Sequence, residues 1–106
     1  MKTWYLYVVR CKSGALYTGI STNVERRVQQ HNAGKGAKAI KALGRPVHLV
    51  YKIEAGPKGR ALNWEAYFKK LDKKRKEKLV LIGSIDWKKD WNENIRENKP
   101  ERPKIL

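Results

Sequence analysis

Carboxylates are scarce in this chain and almost missing from its first half. Of 106 residues, 10 are Asp or Glu, and residues 1–53 hold only Glu25 against 10 Lys or Arg. Any metal-dependent chemistry must therefore draw its hard oxygen ligands mainly from residues 54–106, where 9 acids stand beside 15 basic residues. Cysteine is scarcer still. Cys11 is alone and cannot close an internal disulfide, which excludes a secreted disulfide scaffold. With two His and one Cys, a Cys/His zinc site is excluded as well. No run approaches the roughly 18 apolar residues of a membrane span, and Met1-Lys2-Thr3 leads into an alternating segment rather than a signal-peptide core. These absences predict a soluble, cytoplasmic protein.

What the chain has in excess is positive charge. Its 25 Lys and Arg give a formal net charge of +15, which costs self-repulsion on so short a chain and points to a polyanionic partner, above all nucleic acid. An anionic membrane is the weaker alternative. The length and the 41% hydrophobic content suffice for one core.

Residues 3–10 (TWYLYVVR) and 15–20 (ALYTGI) are rich in aromatic and β-branched types, with turn chemistry at Lys12-Ser13-Gly14 between them, and predict a β-hairpin. Thr22 and Glu25 have capping-box spacing before Val24 and Val28, predicting a helix over 23–33. Residues 34–38 (GKGAK) read as a flexible basic loop able to lie close to phosphates, and Arg45-Pro46 closes that region. Residues 47–53 alternate as a third strand; Ala61, Trp64, Phe68 and Leu71 place an amphipathic helix over 60–71. Asp72 to Lys78 starts a charged helix with a buried end at 79–82 and a cap at Gly83. The order is ββαβαα: an α+β fold, with a small three-stranded, mainly antiparallel sheet flanked by helices. Residues 1–83 form the domain, and 84–106 a polar tail relieved by Trp87 and Trp91.

Tyr5 and Tyr7 share one strand face, and Tyr17 lies across the hairpin or diagonal to Tyr7. Tyrosines also fill half-buried strand positions for purely structural reasons. On a helical wheel Arg27 and His31 fall within about 60° of Val24, whereas Arg26 falls on the opposite side. A histidine on an apolar face is commonly a satisfied core residue. Tyrosines, an arginine and a histidine converging on one surface beside a Gly-Lys-Gly loop nevertheless make a site able to bind and polarise a phosphodiester. Glu65 stands at the border of its helix's apolar face, free to reach inward or to pair with Lys69 at i+4.

Tyr5-Leu6-Tyr7, Tyr17-Thr18-Gly19, then Arg27, His31 and a later Glu65, in this order and spacing, resemble the GIY-YIG nuclease superfamily. Gly34-Lys35-Gly36-Ala37-Lys38, Arg45-Pro46 and Leu49-Val50-Tyr51 are similar to its small stand-alone bacterial branch, the YhbQ-like proteins. The resemblance implies a metal-dependent endonuclease using Mg²⁺ or Mn²⁺ that hydrolyses phosphodiester bonds, in DNA with a structure or damage preference as in DNA repair. It implies Tyr7, Tyr17, Arg27 and His31 as catalytic residues and Glu65 as the metal ligand. Gly19, Lys35, Gly36 and Lys38 are expected at the nucleic acid, with no membrane and no small-molecule cofactor. Tyr5 replaces the first motif's Gly, Thr18 the second motif's Ile, and no Asn one helix past Glu65 matches the one many members carry. The alternatives are a non-catalytic or weakly catalytic basic nucleic-acid-binding module and a basic RNA- or ribosome-associated protein.

Overall fold

The computed structural model describes residues 2–82. Three strands, β1 (Trp4–Arg10), β2 (Leu16–Ser21) and β3 (His48–Gly56), form one sheet in the order β2-β1-β3, both pairings antiparallel. Four helices accompany it: α1 (Val24–Asn32), α2 (Lys38–Leu43), α3 (Lys58–Lys70) and α4 (Lys73–Ile82). The predicted α+β architecture is the observed one. Gly83 and the tail with Trp87 and Trp91 lie outside the described residues.

Strand alternation divides the core in two. Leu6 and Val8 of β1 join Tyr51, Tyr67, Phe68 and Leu79 on one face of the sheet, while Tyr7, Val9 and Cys11 join Val24, Ile40 and Val47 on the other. A central strand buried on both faces needs apolar residues at every position, which is why the β1 sequence is a nearly unbroken aromatic and aliphatic run. An irregularity in the β1–β3 pairing at Val8/Val9 lets the neighbours Val50 and Tyr51 pack against the same cluster. Phe68 is fully buried; truncating such a side chain to Ala commonly costs about 3–5 kcal/mol.

Local structure departs from expectation in three places. The α1 cap is Asn23, whose Oδ1 accepts from Arg26 N–H at 3.1 Å, not the predicted Thr22/Glu25 box. Asn is at least as good an N-cap as Thr, and it sits one residue nearer the helix. Residues 38–43 form the helix α2 rather than continuing the basic loop. Six residues presenting a single buried apolar side chain, Ile40, leave too short a period to read in sequence. It is held by Lys12 and Ser13 N–H groups, which donate to Gly44 and Leu43 carbonyls at 3.1 Å each. Finally, the end of α4 is not buried throughout: Leu79 is covered but Leu81 is 86% exposed.

Two polar ties position the site. The Asn32 side chain accepts from Val47 N–H at 2.7 Å and donates to Val47 C=O at 3.2 Å, fastening the end of α1 to the entry of β3. On the opposite face Arg10 grips Glu77 bidentately at 2.8 and 2.6 Å, holding α4 on β1.

Candidate active site

The centre of the site is a buried chain of three groups. Tyr7 on β1 and His31 on α1 are both covered from solvent, and the Tyr7 hydroxyl lies 2.8 Å from His31 Nε2. At the other side of the ring, the Ala37 N–H donates to His31 Nδ1 at 3.3 Å. Nδ1 is thus the acceptor, so in the neutral ring the proton sits on Nε2 and is donated to the Tyr7 oxygen. His31 stays neutral because burial, and then the Arg27 charge, lower its pKa. In this tautomer His31 cannot take the Tyr7 proton; it stabilises negative charge on the Tyr7 oxygen instead.

Two glycines make room for this chain. A Cβ at Gly19, which pairs with Tyr7 in the sheet, would come within 2.6 Å of the Tyr7 hydroxyl. A Cβ at Gly36 would fall onto His31 Nδ1. Both therefore have a packing role that their reading as phosphate-side residues did not include. Lys35 and Lys38, which flank Gly36 in sequence, are solvent-exposed. Tyr17 meets His31 edge-on with ring centroids 5.4 Å apart.

Charges around Tyr7 oppose one another. Its pKa is pushed up to about 12, first by burial, with Tyr17 and Glu65 adding to the rise and Arg27 pulling it down by hydrogen bonding and charge. Arg27 is half-buried, and its Nη1 donates to Gln30 Oε1 at 3.1 Å; Arg26 is exposed. The wheel separation of the two arginines is thus observed. Gln30 was not singled out in the sequence, although its i+3 spacing from Arg27 is the signal that finds it.

Glu65 on α3 is half-buried, its side chain 21% exposed, and pairs with Lys69 Nζ at 3.5 Å. The i+4 pairing with Lys69 is thus observed, and the Glu65 charge also acts on Tyr7. Among the described residues no group of three His, Cys, Asp or Glu could hold a metal ion. A single carboxylate still fits Mg²⁺, which commonly takes one or two carboxylates and completes its shell with water and substrate oxygens. The exposed Lys69 partner contributes little and can be displaced.

Residues 3–78 match the GIY-YIG catalytic domain. The chain belongs to the GIY-YIG family. A UPF0213 protein of Yersinia pestis (strain Pestoides F) is 53% identical over 78 residues, which span 74% of this chain and 81% of that relative. One from Yersinia pseudotuberculosis serotype O:3 (strain YPIII) gives the same identity and coverage. The solution structure of the UPF0213 protein from Bacillus halodurans has 37% identity and a TM-score of 0.51, covering 83% of this chain and 93% of its own. A protein from E. faecalis has 36% identity and a TM-score of 0.52, covering 77% and 88%.

In this GIY-YIG domain the two motif tyrosines, the arginine and the histidine stand on the α1 face of the sheet, and the Glu65 charge reaches the same phenol from α3. No described helix is long and apolar enough to cross a membrane. Nuclease-type chemistry is what the domain implies.

Proposed function

We propose that the protein is a metal-dependent endonuclease that hydrolyses DNA phosphodiesters with a preference for structure or damage rather than sequence. The observation that carries this reading is the Ala37–His31–Tyr7 chain, which aims a hydrogen-bond donor at an otherwise buried phenol oxygen. Such a donor offsets part of the burial that disfavours the phenolate, and a phenolate beside a phosphodiester is a base for the attacking water. As the water oxygen bonds to phosphorus, its proton passes to the Tyr7 oxygen, the bond from phosphorus to the leaving sugar oxygen breaks, and that oxygen takes a proton from solvent to leave as a hydroxyl. Arg27, held by Gln30, neutralises charge gathering on the phosphoryl oxygens.

With its pKa at about 12, Tyr7 alone supplies little phenolate at neutral pH. The residue suited to hold a divalent ion is Glu65, and the bound ion would supply positive charge to the phenol and the scissile phosphate. Neutralising the Glu65 carboxylate also removes one of the groups that raise Tyr7. Lys35 and Lys38 would add sequence-independent attraction for the backbone. The test is incubation with branched and single-stranded DNA, with and without Mg²⁺ or Mn²⁺. Metal-dependent nicking is expected; tight binding without cleavage under either metal leaves a non-catalytic binding module.

A further inference from the structure

The single acid of residues 1–53 lines an open cleft beside the reaction centre. The cleft, about 270 Å³, lies between β1, β3 and the start of α1 and is bounded by Tyr5, Thr22, Asn23, Val24, Glu25 and Lys52. Tyr5 is two residues from Tyr7 on β1 and therefore on the same sheet face, about 7 Å along the strand. Both tyrosines and Val24 pack in one cluster. Whatever fills the cleft is a close neighbour of a group at Tyr7.

Glu25 and Lys52 pair at 3.2 Å, with side chains 67% and 42% exposed, and Lys52 Nζ stands 5.6 Å from the centroid of the Tyr5 ring. So exposed an ion pair adds little to stability. On a surface meeting a polyanion, a carboxylate repels phosphate, and a phosphate subsite would exclude one. The lining suits instead a neutral flat ring with donors and acceptors at its edge: Tyr5 offers an aromatic face once the exposed Lys52 ammonium, which lies over that ring, swings to the ring's edge, where it donates while Glu25 accepts.

We propose, resting on the endonuclease reading, that this cleft receives one unpaired nucleobase next to the scissile phosphate, stacked on Tyr5, with its exocyclic amino group donating to Glu25. A carboxylate accepts well from the amino group of cytosine, and thymine has none to give. The base must be unpaired, because in a duplex both its faces and its pairing edge are already occupied. The cleft thereby selects single-stranded, gapped or branched substrates without a separate reading domain.

The test is equilibrium binding without metal, using unlabelled single-stranded 12-mers of dC or dT for the preference and, separately, a dT 12-mer with one central 2-aminopurine, whose amino group draws it to the cleft, for the stack. Wild type should quench the 2-aminopurine strongly and bind dC more tightly than dT. Tyr5→Leu should lose the quench and weaken binding about tenfold, the scale of one lost base–aromatic stack. Glu25→Ala should abolish the dC preference while removing a repulsive charge, and Lys74→Ala, exposed on α4, should change neither. Should Tyr5→Leu not fold, the exposed Glu25→Ala still decides the outcome. Oligonucleotide binding with no dC preference and no dependence on Glu25 would overturn the cleft assignment and leave the endonuclease reading intact. Failure of the wild type to bind any nucleic acid would overturn both.

Discussion

Adding one methyl group at Gly36 should disable the site. A Cβ there would meet His31 Nδ1 directly, with Cε1 at 2.8 Å and the His31 Cα at 2.9 Å. His31 is 0% exposed and packed by Tyr7 and Tyr17, so the ring has nowhere to retreat. The loop must move instead, and the hydrogen bond from Ala37 N–H to Nδ1 is lost. Overpacking of this kind costs about 1–3 kcal/mol, and a buried acceptor left unpaired costs a further 1–3 or so. Gly36→Ala should therefore destabilise the protein by about 2–6 kcal/mol in urea unfolding.

The same change releases the tautomer. Without the Ala37 donor, Nδ1 can carry the proton, and Nε2 then stops donating to the Tyr7 oxygen. Removing one donor to a developing charge commonly lowers the rate by about 10²- to 10³-fold, so Mg²⁺-dependent nicking should fall by that order. Nitrogen NMR shifts of His31 should move from the Nε2–H form toward a mixture. Gly59→Ala is the internal comparison. It stands in the first turn of α3 with nothing within 4 Å of its added Cβ, and should be neutral or stabilising by about 0.4–1 kcal/mol. Equal stability for the two variants, or an unchanged His31 tautomer in Gly36→Ala, would refute the reasoning.

Arg27→Ala should eliminate metal-dependent nicking, by about 10²- to 10³-fold, with circular dichroism unchanged, whereas Arg26→Ala should stay within several-fold of the parent; equal losses would mean the site assignment is wrong. Glu65→Gln should abolish cleavage yet keep or improve DNA binding measured by fluorescence anisotropy, because it removes a charge that repels phosphate; unchanged cleavage would leave Glu65 as a partner of Lys69 alone. The log of DNA affinity should fall linearly with log salt, and replacing Lys35 and Lys38 by Ala should reduce the slope by up to about two units; a flat response would dismiss the electrostatic contact. Tyr7 keeps in the native state, up to about 12, a proton that it gives up near 10.0 when unfolded. Its contribution to stability is complete below pH 10 and lost between 10 and about 12. Denaturant midpoints over that window should decline less steeply in Tyr7→Phe, by about 1.4 kcal/mol per pH unit, and identical slopes would place the phenol at an ordinary pKa.

What could be read from the sequence was whatever a fixed period encodes. Strand alternation placed Tyr5 and Tyr7 on one face, and the helical period separated Arg27 from Arg26, because both depend only on backbone geometry. The residues that could not be read act through the backbone or across the fold. Ala37 contributes an N–H, which every residue but proline has. Gly36 contributes the absence of a side chain against a ring five positions earlier, a contact created only when the loop turns back over α1. The helix α2 leaves no sequence signal because its single buried residue, Ile40, carries no period, and what holds its end comes from Lys12 and Ser13 in the hairpin turn.

The loop that most resembled a phosphate cradle therefore has two edges with different duties. Its lysines face solvent, where only their charge reaches a polyanion. Its Gly36 and Ala37 face inward onto His31, where they decide which nitrogen carries the proton and so whether Tyr7 receives a donor or loses one. A short basic loop of small residues satisfies both demands, since any side chain at Gly36 would serve the first only by destroying the second. The same economy appears at Gly19, whose missing Cβ leaves the Tyr7 hydroxyl its place across the hairpin. In the proposed endonuclease, binding and proton control are thus built from adjacent residues, and charge-neutral changes at Gly19 or Gly36 should bear on the chemistry as directly as changes to the charged groups.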